Sequence, residues 1–127
     1  MNLNLARILV VDDEEVMRVF VTNSLRRLGI QSIETATDGA SALRAMASFK
    51  PDLVLTDIHM QPMNGLAFVR HLRGHANPMI KAMKVIFMSA DASTTTREDA
   101  MPLGTYGYIV KPPRLDTLQA KIELALR

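Results

Sequence analysis

Four apolar runs in this 127-residue chain end on groups that could do chemistry. "RILVVDD" (7–13) closes on Asp12 and Asp13, and "DLVLTD" (52–57) closes on Asp57. "KVIFMSA" (84–90) closes on Ser89 and Ala90, and "YGYIVK" (106–111) on Lys111, followed by Pro112. Taken singly, each has an ordinary explanation: an Asp pair caps a helix, a serine makes a turn, a lysine is a solvated charge. As a set they are different, because parallel strands would bring three carboxylates, a hydroxyl and an ammonium to one edge of a sheet. Two carboxylates about 4 Å apart repel by about 4 kcal/mol at an effective dielectric near 20. Such a cluster needs a positive charge within it. Lys111 supplies one, and an all-oxygen donor set with open positions suits magnesium. A carboxylate beside a cation and a lysine can attack phosphorus, provided the attacking and leaving oxygens are held in line. The product would be an acyl phosphate on Asp57.

The elements that must position these residues follow from periodicity. Ile8 to Val11 leave no polar face, as expected of a strand buried on both sides. Met17, Phe20, Val21, Leu25 and Leu28 form a helical stripe stopped by Gly29. "QSIETAT" (31–37) reads as a more polar strand near an edge. Asp38 can cap the next helix, with Ala40, Leu43, Met46 and Ala47 facing inward. Lys50 precedes Pro51 and so leaves helical geometry. A loop after Asp57 leads into the helix "GLAFVRHLRG", and the chain closes on "RLDTLQAKIELALR", with Leu115, Leu118, Ile122 and Ala125 inward. Three threonines (Thr94 to Thr96) and Pro102 make 91–104 a poor helix, short or distorted. Alternating strands and helices imply a parallel sheet joined by right-handed crossovers, with ligands beyond the carboxyl ends of the strands. The expected fold class is α/β: a single-domain, doubly wound, five-stranded parallel sheet with five helices.

Composition narrows the function. The chain is 48% apolar and 22% charged, ordinary for a soluble globular domain. No window approaches a membrane span, and the start does not read as a signal peptide. The absence of cysteine excludes disulfides and thiolate zinc sites and allows a cytoplasmic setting. A net charge of +2, with scattered bases and no tryptophan, argues against direct nucleic-acid binding. His71 and His75 stand four apart, but Gly74 between them suggests a fraying helix end rather than a metal site. Both glycine-rich nucleotide motifs are absent.

"VVDD", "LTDIHM..MNG", "MSA" and "Y.YIVKP", in this order, resemble the receiver domain of two-component response regulators over essentially the whole chain, residues 1–127. The resemblance implies a flavodoxin-like strand order, 2-1-3-4-5. It makes Asp57 the phosphoacceptor, charged by a histidine kinase, a phosphotransfer protein or a small phosphodonor. Asp12, Asp13, Asp57 and the backbone carbonyl of His59 would hold Mg2+. Ser89, the Ala90 backbone and Lys111 would bind the phosphoryl group, and Lys111–Pro112 would be a cis peptide. Ser89 and Tyr108 would be the switch pair, repacking the surface formed by the 91–104 helix, the fifth strand and the last helix. His59 and Asp91 fall where the family tunes dephosphorylation.

Departures from the family pattern are Gln61, which separates Met60 from Pro62, and the unusual 91–104 segment. The output would be a downstream protein or a fused domain, and a homodimer through the 91–104 surface is a further expectation. Two rivals stand beside this reading. A magnesium phosphohydrolase with an aspartyl-phosphate intermediate would need a second acid two residues past the nucleophile, where this chain has His59. A flavodoxin-like electron carrier would need a Ser/Thr-rich phosphate loop after the first strand, and none is present.

Overall fold

The computed structural model describes residues 1–90 and 98–127. Five strands form one sheet: β1 (Arg7–Val11), β2 (Ser32–Ala36), β3 (Leu53–Asp57), β4 (Lys84–Ser89) and β5 (Gly107–Val110). All pairings are parallel and the order is β2-β1-β3-β4-β5, as expected. The helices are α1 (Glu15–Arg27), α2 (Gly39–Phe49), α3 (Gly65–Arg73), the short α4 (Pro78–Lys81) and α5 (Leu115–Ala125). Residues 98–100 are also helical, and Met101–Leu103 forms a 3-10 turn. Asp91 and Thr94 to Thr96 lie outside the described residues.

Strand pleating divides the core in two. Ile8, Val10, Leu53, Leu55, Ile86 and Met88 face α1 and α5, meeting Val21, Leu25, Leu118 and Ile122. Leu9, Val11, Val54, Val85 and Phe87 face α2 and α3, meeting Ala42, Met46, Phe68 and Leu72. Both faces of β1, β3 and β4 are thus covered, which is why their sequences are continuously apolar. β2 is an edge strand, and only Ala36 in it is buried. A parallel sheet covered on both faces directs every strand's carboxyl end to the same rim.

The helix phases differ from expectation in two places. Phe20 is 44% exposed, because the inward stripe of α1 is Val21, Ser24 and Leu25. Phe20 instead lines an open groove with Pro113, Arg114 and Leu115 at the start of α5. In α2, Gly39, Ala42 and Met46 are buried, while Ala47 is exposed and Ala40 and Leu43 are half-buried. Two contacts set that phase. Gly39 lies so close to the α3 approach loop that a Cβ would meet Met63 Cγ at 2.6 Å. Asp38 accepts from the Ser41 amide at 2.8 Å, and the Ser41 hydroxyl in turn accepts from the Asp38 amide at 3.2 Å. Asp38→Ala removes one side of this reciprocal cap and is expected to lower stability. A thermal melt should show the loss, and Asp38→Asn, which keeps an acceptor oxygen, should restore most of it.

The short α4 is a helix beyond the five expected. Asn77 accepts from the Met79 amide at 2.9 Å, and Pro78 occupies the first turn. Asn–Pro is a helix-start signature that the sequence carried openly. Gly29, at φ +91°, ends α1 as expected, in a conformation that L side chains rarely adopt. Arg73, at the end of α3, donates to the carbonyls of Leu103 (2.7 Å), Met83 (2.8 Å), Lys81 (2.9 Å) and Gly104 (3.3 Å). That one guanidinium ties α3 to the segments before β4 and β5. No helix among the described residues is long and apolar enough to cross a membrane.

Candidate functional site

β1 ends at Val11, and the chain places Asp12 just past it with no exposed surface. The Asp12 amide donates to Ala36 O at 3.1 Å, holding the turn against the end of β2. Asp12 Oδ1 accepts from the Glu14 amide at 2.9 Å, and the Arg18 guanidinium donates to Asp12 O at 2.7 Å. β3 delivers Asp57 one strand away, only 3% exposed. Asp57 Oδ1 accepts from the His59 amide at 3.4 Å. Beyond it, the Gly65 amide donates to Ile58 O at 2.9 Å, closing the loop back onto the strand end.

Lys111 enters from the other side. Its amide donates to Ser89 O at 2.8 Å, extending the β4–β5 ladder by one residue. Its side chain, 4% exposed, then reaches across the rim. Nζ lies 2.8 Å from Asp12 Oδ2, 3.2 Å from Asp57 Oδ2 and 3.5 Å from Glu14 Oε1. The Lys111–Pro112 bond is cis, and so is Gln61–Pro62 in the loop after Asp57.

Asp12, Asp13, Glu14 and Asp57 each offer an oxygen, and these four atoms lie within 4.8 Å of one another. The acids of the first and third strands are therefore close enough to share one ion. Among the described residues, four carboxylates against the one ammonium of Lys111 leave the cluster with excess negative charge. Hard oxygen donors in a half-open cluster, with Asp13 and Glu14 exposed and Asp12 and Asp57 buried, fit a magnesium-sized cation that retains waters.

The charges perturb one another. Burial pushes the Asp57 carboxyl above the usual carboxylate range, and the Asp12 charge adds to this; Lys111 and the His59 amide oppose it. Burial alone would lower the Lys111 ammonium, but its bond to Asp12 and the charges of Asp57 and Asp12 outweigh that and raise it. Lys111 is thus a fixed cation across the neutral range.

Two further expected site residues, Ser89 and His59, stand at the end of β4 and just past the end of β3. Ser89 is fully buried at the end of β4, beside Val110 of β5. Ala90 is exposed at the bend that follows. Tyr108 is half-buried and packs against the α2–α3 side of the core. The His59 side chain is exposed beside Asp57. Asp91 lies outside the described residues. His71 is exposed on α3, and His75 Nδ1 accepts from the Asn77 amide at 2.9 Å. Glu14 as a partner of Lys111 and Arg18 as a support of Asp12 are additions that only the structure makes. Glu14 follows the Asp pair directly, which was the available signal, but nothing in the sequence places it near Lys111.

An open, doubly wound parallel sheet of order 2-1-3-4-5, with a cluster of carboxylates and a buried lysine at one rim, defines a flavodoxin-like α/β protein. The response regulator receiver domain family matches residues 8–123, and the chain belongs to that family. It is 36% identical over 117 residues to chemotaxis protein CheY-3 of Vibrio cholerae serotype O1, covering 92% of this chain and 88% of that protein. It is 34% identical over 121 residues to regulatory protein AtoC of Escherichia coli K12. That match covers 95% of this chain but spans only 25% of AtoC. The solved structure of chemotaxis response regulator CheY4 of Vibrio cholerae superposes with a TM-score of 0.84 at 28% identity, covering 95% of this chain and 98% of the other. Receiver domains of this type are phosphoacceptor switches rather than turnover enzymes, and the family binds Mg2+ at an acidic pocket.

Proposed function

We propose that residues 1–127 act as one receiver domain in which Asp57 accepts a phosphoryl group from a histidine kinase, a phosphotransfer protein or a small phosphodonor. The observation that carries this reading is the placement of Lys111 Nζ between Asp12 and Asp57, at 2.8 and 3.2 Å. Asp12, Asp13, Asp57 and the His59 carbonyl would hold Mg2+, which when bound offsets the charge of the carboxylates and of the phosphoryl oxygens. An Asp57 carboxylate oxygen attacks phosphorus as the donor's P–N or P–O bond breaks, and the leaving atom keeps the electron pair. Asp12 holds Lys111 over the site, and the ammonium neutralises a phosphoryl oxygen. The Ser89 hydroxyl and the Ala90 amide bind the remaining oxygens.

Phosphorylation would draw Ser89 inward, and Tyr108 would follow into the core it already borders. That shift repacks the surface of the 91–104 segment, β5 and α5, whose partner is a downstream protein, a fused output domain or a second copy of the chain. His59 and Asp91 would tune the lifetime of the acyl phosphate, and the setting would be cytoplasmic. The phosphohydrolase alternative has less support, because position 59, where such an enzyme needs its second acid, is His59.

The test is incubation with acetyl phosphate and Mg2+. Wild type should gain one phosphoryl group in an acid-labile, hydroxylamine-sensitive form, and Asp57→Asn should gain none. Beryllofluoride with Mg2+ should shift amide resonances around Ser89 and Tyr108. Labelling that persists in Asp57→Asn would overturn the assignment, and steady turnover of a phosphomonoester lost in Asp57→Asn would favour the hydrolase.

A further inference from the structure

An ammonium group has three N–H donors. Among the described residues three carboxylates lie within 3.5 Å of Lys111 Nζ, one for each donor, so an arriving phosphoryl group must displace a contact. One partner must let go. Asp12 is unsuited: it has no exposed surface, and its other oxygen and its carbonyl are already bonded to the Glu14 amide and to Arg18. Asp57 is the attacking group. Glu14 makes the longest of the three contacts, 3.5 Å, and its side chain is 67% exposed. An exposed pair of this kind is weak, and water readily replaces it.

We propose that Glu14 is a resting-state latch on Lys111, holding the third donor of the ammonium until the phosphoryl group displaces it. Glu14 is thus a positioning residue acting through Lys111, and it slows phosphorylation of Asp57. The inference rests on Asp57 being the phosphoacceptor. In the balanced step with acetyl phosphate, the Asp57 oxygen–phosphorus bond forms and the donor's phosphorus–oxygen bond breaks. Acetate leaves with the electron pair. Lys111 exchanges its Glu14 contact for one to a phosphoryl oxygen, and no proton is transferred.

Glu14 stands at the N-cap of α1 without a side-chain capping bond, so Glu14→Ala should fold normally. Glu15→Ala removes the same charge one residue away and is the control. At saturating Mg2+, Glu14→Ala should label with acetyl phosphate about 2–5-fold faster than wild type, the range an exposed pair can supply. Glu15→Ala should label at the wild-type rate. In metal-free protein, the Lys111 15Nζ resonance should move in Glu14→Ala and stay in place in Glu15→Ala. Equal acceleration in both variants would overturn the latch in favour of a general charge effect, as would a Glu14→Ala rate at or below that of wild type. Failure of wild type to label strikes the phosphoacceptor reading, whereas an unmoved Lys111 resonance strikes the latch alone.

Discussion

Lys111→Met is expected to lower the stability of the metal-free protein by about 3–5 kcal/mol at neutral pH, read from the denaturant midpoint. Methionine keeps most of the aliphatic stem, and the Lys111 backbone bond to Ser89 O does not depend on the side chain. What disappears is the cation that pairs with both the Asp12 and the Asp57 carboxylate, groups that are 0% and 3% exposed. Breaking a buried pair leaves uncompensated charge, which costs far more than the net worth of the pair. The pH dependence separates this cause from lost packing. Burial already raises the Asp57 carboxyl, and Lys111 opposes the rise. Without the lysine, the folded-state value climbs further above the unfolded one. Stability tied to a raised carboxyl is fully present below its unfolded value, near 3.8, and is lost as pH rises through the folded value. The deficit of Lys111→Met should therefore be small in acid and widen toward neutrality. Added Mg2+, binding only the folded state, should recover part of it. A deficit unchanged from pH 4 to 7 would mean that charge is not the cause.

Gly65→Ala should be comparably damaging for a different reason. Gly65 opens α3, and a Cβ there would fall within contact radius of the Asp57 carbonyl oxygen, with the Asp57 carbonyl carbon and Ile58 Cα at 3.0 Å. These are backbone atoms at the end of β3, where Asp57 pairs with Met88 and the Ile58 amide donates to Met88 O at 3.2 Å, so no side chain can swing away. Overpacking typically costs about 1–3 kcal/mol, and a clash against backbone belongs at the upper end. A fall in Tm of roughly 10 °C is expected. The displaced atoms belong to Asp57 itself, so labelling by acetyl phosphate should fall even at temperatures where the variant is fully folded. A variant with wild-type stability and labelling would show that the loop yields without disturbing the site.

The two variants mark different levels of legibility. Lys111 was readable as a candidate from the sequence, because it closes an apolar run and a buried strand must end at the sheet's rim. The need for glycine at position 65 was visible only as motif spacing from Asp57. Its physical reason, a helix start pressed against a strand end, exists only in three dimensions. Phe20 and Ala47 show the same limit. Helices facing a sheet carry more apolar residues than the interface accepts, and the choice of stripe falls to contacts such as Gly39 on Met63. α4 is another matter, since Asn77–Pro78 carried its start signal in plain view.

By itself, the sequence determined the strands, their alternation with helices and the identity of the residues at their carboxyl ends. It could do so because a strand buried on both faces has no phase to choose and can end only where polar atoms are tolerated. The tertiary structure decided the distances. It brought Asp12 and Asp57 to the same ammonium, added Glu14 as the third partner and put Phe20 outside the core. Those outcomes depend on how separate elements meet across the rim, and the local pattern of a single chain carries no such information.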